Sequence, residues 1–422
     1  MSHAVRQRVS ASRASRPKSW PGPGHSLDAR PISWYNSPVA RRTVFESCRA
    51  KSILNKHKRP DHWFWIRYTA YPYKGCQHRC LFCYCRERKY CPFEDVNDFG
   101  YVIQIKENAP ELLRRALSRV TVDLLGTGDY QAAERKFGLS RRMLEVCLEL
   151  GFPISVLERS PLVLRDVDLL QEINDKTVTV VMFSIIHTPD SPYCERITEM
   201  ECLAPPPEKR FAAMEKLAKA GILTGTCMMP VLPQLCDNEA NLQSVVKWTA
   251  GHGGQFVMAG DLTLADQQRD FFFGILQERF PDLLEHYRRL YPPGSYGPAG
   301  GNWRRTALRL HELCQQYGIS DRLPRPIIPG DKRTLNKRVV EALANRVYMM
   351  ELTGEANHRL WAYRKAAWAI EDTPQDLGLI YSQMGLKGLQ SIENVGPQLA
   401  QMVEGLLRRL APPPSQQGTP KE

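Results

Sequence analysis

No window of the 422-residue chain reaches the run of about 18 apolar residues that a membrane span needs. The first residues carry no apolar block of the kind that opens a secretory signal. Without such a signal, the twelve cysteines make a poor disulfide framework. In a reducing cytosol, clustered thiols bind metal or do chemistry, so the expected location is cytoplasmic, with no membrane contact. Residues 1–60 are short of acid: 13 Lys/Arg stand against two acidic residues, which is +11 of the net +12. They also lack hydrophobic periodicity. They read as a basic disordered arm suited to a polyanion such as nucleic acid. Its Arg- and Ser-rich composition has a faint transit-peptide character, and an ordinary tail is the preferred reading.

What is present begins near Trp63. Six strand-like runs follow: FWIRYTAYPY (64–73), VTVDLLGTG (120–128), ISVLERS (154–160), VTVVMFSII (178–186), GILTGTCMMPVLP (221–233) and GQFVMAGDLTL (254–264). Amphipathic stretches such as SRRMLEVCLELG and PEKRFAAMEKLAKAG lie between them. Strands alternating with helices predict a parallel sheet with helical cover and right-handed crossovers. The fold class expected is α/β, a partial (β/α)6 TIM-like barrel, with a C-terminal all-α domain. The divisions are a basic arm (1–60), the barrel (61–290), a Pro/Gly-rich connector (291–331), a helical domain (332–410) and a disordered tail (411–422). In such a fold ligands bind at the C-terminal ends of the strands.

The stretch YPYKGCQHRCLFCYCRERKYC (71–91) directly follows the first strand. Cys76, Cys80 and Cys83 are spaced C-x3-C-x2-C. Three thiolates on a short loop can hold three irons of a 4Fe–4S cluster and leave the fourth iron open. Zinc prefers four closed ligands, and Cys85 and Cys91 could complete such a set. Spacing alone leaves both open.

The aromatic Phe82 before the last ligand, Tyr84 after it and the strand context resemble the radical S-adenosylmethionine superfamily, over about 60–290. The resemblance implies a 4Fe–4S cluster on Cys76, Cys80 and Cys83, with S-adenosylmethionine chelated at the open iron. It also implies a one-electron reductant such as flavodoxin or ferredoxin. A reduced cluster then breaks the C5′–S bond, and the 5′-deoxyadenosyl radical takes hydrogen from a substrate.

YKGCQHRCLFCYCR (73–86), LLGTGDYQAAE (124–134), ISVLERSPLVLRDVDLL (154–170) and VMFSI (181–185) resemble the spore photoproduct lyase-like branch. By that resemblance Phe82 and Tyr84 flank the cofactor. Thr127, Gly128 and Asp129 lie near its methionyl end, and Arg159 pairs with the methionyl carboxylate. Ser184 bonds the ribose or the carboxylate. The branch's lyase uses a second-strand cysteine as hydrogen donor, and TVDLLGTGDYQ has none. Cys85, Cys194, Cys202 and Cys227 are the remaining choices, with nothing to single one out. Cys147 reads as an apolar helix position.

At the other end, LQSIENVGPQLAQMVEGLL (389–407) reads as two helices around an NVGP hairpin. In the helix-hairpin-helix pattern, backbone N–H groups at a helix N-terminus hold DNA phosphate without reading sequence. Gly396 is present, and Asn394 stands where the first glycine belongs; Asn tolerates positive φ. With the preceding 336–374 segment, and AYRKAA (362–367) in particular, the region resembles the N-terminal domain of X-family DNA polymerases. That implies binding to gapped or damaged DNA, independent of sequence, through Arg359, Arg364, Lys365, Val395 and Gly396. The lyase lysine of that domain is missing: Gln398 and Met402 stand in its place. The expected function is a radical S-adenosylmethionine enzyme acting on DNA in repair or base modification. Radical modification of RNA or protein, and a non-enzymatic zinc-stapled DNA-binding protein, are the alternatives.

Overall fold

The computed structural model describes residues 41–410; the segment 1–40 and the tail 411–422 lie outside the described residues. The chain opens with β1 (Val44–Cys48), β2 (Asn55–Lys56), β3 (Tyr68–Thr69) and β4 (Tyr73–Lys74). The cysteine loop follows, then β5 (Val102–Lys106) and α1 (Ala109–Leu117). Strand and helix then alternate through β6 (Leu125–Gly126), α2 (Glu134–Phe137), α3 (Leu139–Leu150), β7 (Ile154–Glu158), α4 (Val167–Lys176) and β8 (Thr179–Ser184). Next come α5 (Cys194–Glu201), α6 (Pro207–Lys219), β9 (Leu223–Val231), α7 (Glu239–Gly251) and β10 (Val257–Asp261). The rest is helical: α8 (Asp266–Arg279), α9 (Pro281–Leu290), α10 (Asn302–Gln316), α11 (Thr334–Thr353), α12 (Asn357–Asp372), α13 (Leu377–Gln390) and α14 (Pro397–Leu410).

Seven strands make one curled half-barrel sheet, in the order β10-β9-β8-β7-β6-β3-β2. All but the edge strand β2 run parallel, and these six are the strands expected from the sequence. Such strands are covered on both faces, so β8 reads TVVMFS and is buried throughout. Among the described residues no helix is long and apolar enough to cross a membrane.

Alternation along β8 divides two cores. Val181 and Phe183 face outward with Ile154 and Val156, against Leu113, Leu144, Leu170 and Phe211 of the covering helices. Cys147 is buried in that layer, as its helical position predicts. Val180 and Met182 face inward with Phe256 and Met258, into one cluster with Val340, Ala367, Leu389 and Val403 of α11–α14. The C-terminal helices therefore close the inner face at the N-terminal half of the strands.

Two features depart from the expectations. Part of the expected basic arm, 41–60, is built into the body: β1 pairs with β5, and β2 pairs with β3. β1 is exposed over most of its length, so it shows no apolar alternation from which a strand could be read. Part of the expected connector is also paired. Val257 N donates to Ser320 O at 2.9 Å, and Ser320 N donates to Gln255 O at 3.0 Å. That segment extends the sheet edge next to β10.

Candidate active site

β4 delivers the chain to Gly75, whose φ is +81. A Cβ there would lie 2.3 Å from Val102 O, so only glycine fits against β5. The small β1-β5-β4 sheet thus supports the start of the cysteine loop. Cys76 N donates to Phe99 O at 2.9 Å, and Leu81 N donates to Met200 O at 2.9 Å. Gln77 ties the loop to the segment after β6: its N donates to Gln131 Oε1 at 3.0 Å, and its Oε1 accepts from Ala133 N at 2.6 Å. Arg79 Nε donates to Gly100 O at 2.8 Å.

Cys76, Cys80 and Cys83 are brought together closely enough to act on one another electrostatically. Burial pushes the Cys80 thiol up to about 12 and Cys76 well above the usual thiol value. Cys83 is drawn down to about 6, first by a hydrogen bond from Cys85. Among the described residues no group of three His, Cys, Asp or Glu converges as one metal ion would require. Cys91 is buried, with Sγ 4.0 Å from Phe93 O.

Two charged walls flank these thiols. On one, Gly128 (φ +90) turns the chain at the end of β6 and sets Asp129 beside Cys76. Asp129 is raised to about 7 by burial. Glu158, at the end of β7, is raised to about 8 by burial and then by Asp129. It accepts from Tyr130 N at 2.9 Å and Arg159 N at 3.2 Å. Neither carboxylate has an ion-pair partner among the described residues. The other wall holds Arg159, its guanidinium carbon 5.3 Å from the Phe82 ring centroid and its charge acting on Cys80 and Cys83. Arg159 pairs with Glu201, which also pairs with the fully buried Arg210. Glu201 is held at about 2: burial opposes this, and the two guanidiniums overcome it.

The pocket is thus short of a cation beside Asp129 and Glu158 and has an excess guanidinium beside Cys80. A zwitterionic amino-acid group would answer both, and the C-x3-C-x2-C thiols on one loop suit a cluster with one open iron. The residues present therefore fit a 4Fe–4S cluster with S-adenosylmethionine.

The other expected residues differ in placement. Ser184 lies on the inner face in register with Cys227, its Oγ donating to Met229 O at 3.4 Å. Thr127 is fully buried and its hydroxyl donates to Ala70 O at 2.9 Å, so its side chain ties β6 to β3 rather than reaching the pocket. Phe82 is buried beneath Arg159, whereas Tyr84 is half exposed and meets Tyr90 edge-on. Of the open thiols, Cys85 and Cys202 lie beside Cys83 and Cys80, Cys227 is buried on β9, and Cys194 begins α5. Glu158, Glu201 and Arg210 were missed by sequence reasoning. Glu158 had a signal, its place beside Arg159 at a strand end. Glu201 and Arg210 had none, because helical charged residues are ordinarily solvated.

At the far end, Asn394 has φ +62 and Gly396 is exposed with open space around it, while Val395 is buried in the inner core. Arg359 pairs with Glu355 and Arg364 with Glu351; Lys365 is exposed.

The family described as the radical SAM superfamily matches residues 71–242. An uncharacterized protein of Mycobacterium tuberculosis (strain ATCC 25618 / H37Rv) is 31% identical over 262 residues, covering 60% of this chain and 76% of that protein. An uncharacterized protein of Methanocaldococcus jannaschii is 28% identical over 192 residues, covering 45% of this chain and 69% of that protein. Among solved structures, a spore photoproduct lyase mutant with dinucleoside spore photoproduct aligns with TM-score 0.48 and 15% identity, over 66% of this chain and 80% of that one. The radical S-adenosylmethionine methyltransferase TsrM from Kitasatospora setae aligns with TM-score 0.40 and 14% identity, over 65% and 52%. The chain belongs to the radical SAM superfamily, whose members use a 4Fe–4S cluster and S-adenosylmethionine.

Proposed function

We propose that this radical SAM enzyme acts on DNA, in repair or base modification. When bound, the cluster and S-adenosylmethionine supply a 5′-deoxyadenosyl radical. The chain's own residues hold and shield that chemistry. Cys76, Cys80 and Cys83 ligate the cluster. Asp129 and Glu158 accept the methionyl ammonium, Arg159 receives its carboxylate, and Ser184 bonds the ribose or carboxylate. The buried inner face would exclude water from that chemistry.

The observation that carries the DNA reading is the α13–α14 hairpin. Asn394 takes the left-handed turn, Val395 anchors it, and Gly396, Gln398 and Leu399 present N–H groups at the start of α14, ahead of the first bonded one, Ala400 N to Gly396 O. Such a terminus suits a phosphate. Lys365 adds an exposed cation, and Arg359 and Arg364 must leave Glu355 and Glu351 to add theirs. The helical module covers the lower inner face, while the cluster loop lies beyond the upper strand ends. From Val180 to Ser184 along β8 is roughly 13 Å. A target base held by this module must therefore be flipped and carried around the open side of the half-barrel, at a cost of a few kcal/mol.

The test is a turnover assay with cluster-reconstituted protein, S-adenosylmethionine and a reductant. Gapped duplex DNA should stimulate 5′-deoxyadenosine formation, and mass spectrometry should find an altered nucleoside. Stimulation by tRNA or peptide in place of DNA would transfer the reading to RNA or protein modification.

A further inference from the structure

Arg210 is fully buried on α6, and its guanidinium is held by three partners. Nε donates to Pro205 O at 2.7 Å, and Nη1 donates to Ser184 O at 2.7 Å and to Glu201 Oε1 at 3.0 Å. Nη2 donates to Glu201 Oε2. Arg159 Nη1 donates to the same Glu201 Oε1. Cys80 Sγ lies 3.6 Å from the backbone oxygen of Glu201. His187 Nδ1 lies 3.9 Å from Glu201 Oε2, and its neutral ring is fixed by Thr198 Oγ1 at 3.0 Å. The Glu201 carboxylate thus joins the end of β7 to α5 and α6, its backbone oxygen meets the cysteine loop, and Arg210 extends the network to the end of β8.

The charge count is as informative as the geometry. Two guanidiniums share one carboxylate in a buried pocket, leaving one uncompensated positive charge. Burying such a charge is costly unless a negative group answers it. Arg159 carries that charge toward Cys80 and Cys83. Reducing the cluster adds a negative charge at those thiolates, so a fixed cation beside them favours the reduced state.

We propose that Glu201 and Arg210 are positioning residues. Together they aim Arg159 and set the net charge beside the cluster, and so tune its reduction potential and its affinity for the carboxylate end of S-adenosylmethionine. The electron comes from the external one-electron reductant, and no protein bond forms or breaks. This inference rests on the family and the cofactors, and is independent of the DNA reading.

The test uses full-length, anaerobically reconstituted protein and potentials read by electron paramagnetic resonance during a dithionite titration. Glu201→Gln removes a negative charge and should raise the midpoint potential. Arg210→Gln removes a positive one and should lower it. The double variant should return toward wild type, and Arg210→Lys should stay near it. Equilibrium dialysis should show S-adenosylmethionine binding about tenfold weaker in Glu201→Gln, because Arg159 loses its guide. Residues that merely support the fold would shift both potentials alike or not at all, and that result overturns the proposal. If Arg210→Gln fails to load a cluster, the Glu201→Gln and Arg210→Lys pair decides it: equal potentials in the two reject it.

Discussion

The upper strand ends and the lower inner face are built from opposite materials. Above, the strand ends gather the buried Glu158, Glu201 and Arg210 and the half-buried Asp129 and Arg159, groups that are stable only when paired or when a ligand answers them. Below, it buries Val180, Met182, Phe256 and Met258 against Val340, Ala367, Leu389 and Val403. The upper pocket stores electrostatic demand for a cofactor. The lower face supplies stability that needs no ligand, so it can carry the buried charges above it.

The largest effect should come from breaking the upper region at its three-thiol loop. Cys80→Ala, or the same change at Cys76 or Cys83, should bring bound iron and 5′-deoxyadenosine formation close to background. Colourless wild-type protein with stoichiometric zinc and no iron, after anaerobic purification, would instead support the zinc-stapled reading.

Next is the lower region. Leu389, on α13, is fully buried in the cluster that covers the inner face, and Leu389→Ala should cost about 2–5 kcal/mol in a denaturant melt. Removing 332–422 altogether should leave the inner face bare and the protein aggregated, whereas independent domains would leave the barrel soluble and folded. Surface substitutions are therefore the correct probes of DNA affinity.

A third, smaller effect is one of pH. In the cofactor-free protein the folded values of Asp129 and Glu158, about 7 and about 8, lie above their ordinary carboxylate values. The native state then holds protons that the unfolded chain has lost, so these two groups make stability fall as pH rises from about 4 to about 8. Asp129→Asn should flatten that slope in thermal melts, and saturating S-adenosylmethionine should do so in the reconstituted protein. An unchanged slope would mean that the two carboxylates are not the buried pair described above.

The smallest effect is at the hairpin. Lys365→Glu and Gly396→Asp should each weaken gapped-duplex binding by about tenfold or less and reduce its salt dependence, with no change in melting temperature. Wild-type affinity and salt slope in both would remove the DNA role of this module.

These contrasts also explain what was legible. The six parallel strands could be read because continuous apolar runs of that length are the mark of doubly covered strands. The three-thiol loop could be read because its spacing is local, within one loop. Asn394 was legible as a turn because few residues take positive φ. The docking of α11–α14 on the inner face was not legible: an apolar helix face does not name its partner, and these helices also pack on one another. The bond from the Thr127 hydroxyl to Ala70 O was not legible, because it depends on β6 lying beside β3.

The amino-acid sequence was enough for the alternation of strand and helix, the three-thiol loop at a strand end and the hairpin turn, since each depends on neighbours in the chain. Tertiary packing was needed to bring Glu201 and Arg210 to Arg159 beside Cys80, and to plug the barrel from below with the helical module. The charges of Glu201, Arg210 and Arg159 come from separate elements, and the value of a buried charge depends on which others share its low-dielectric space.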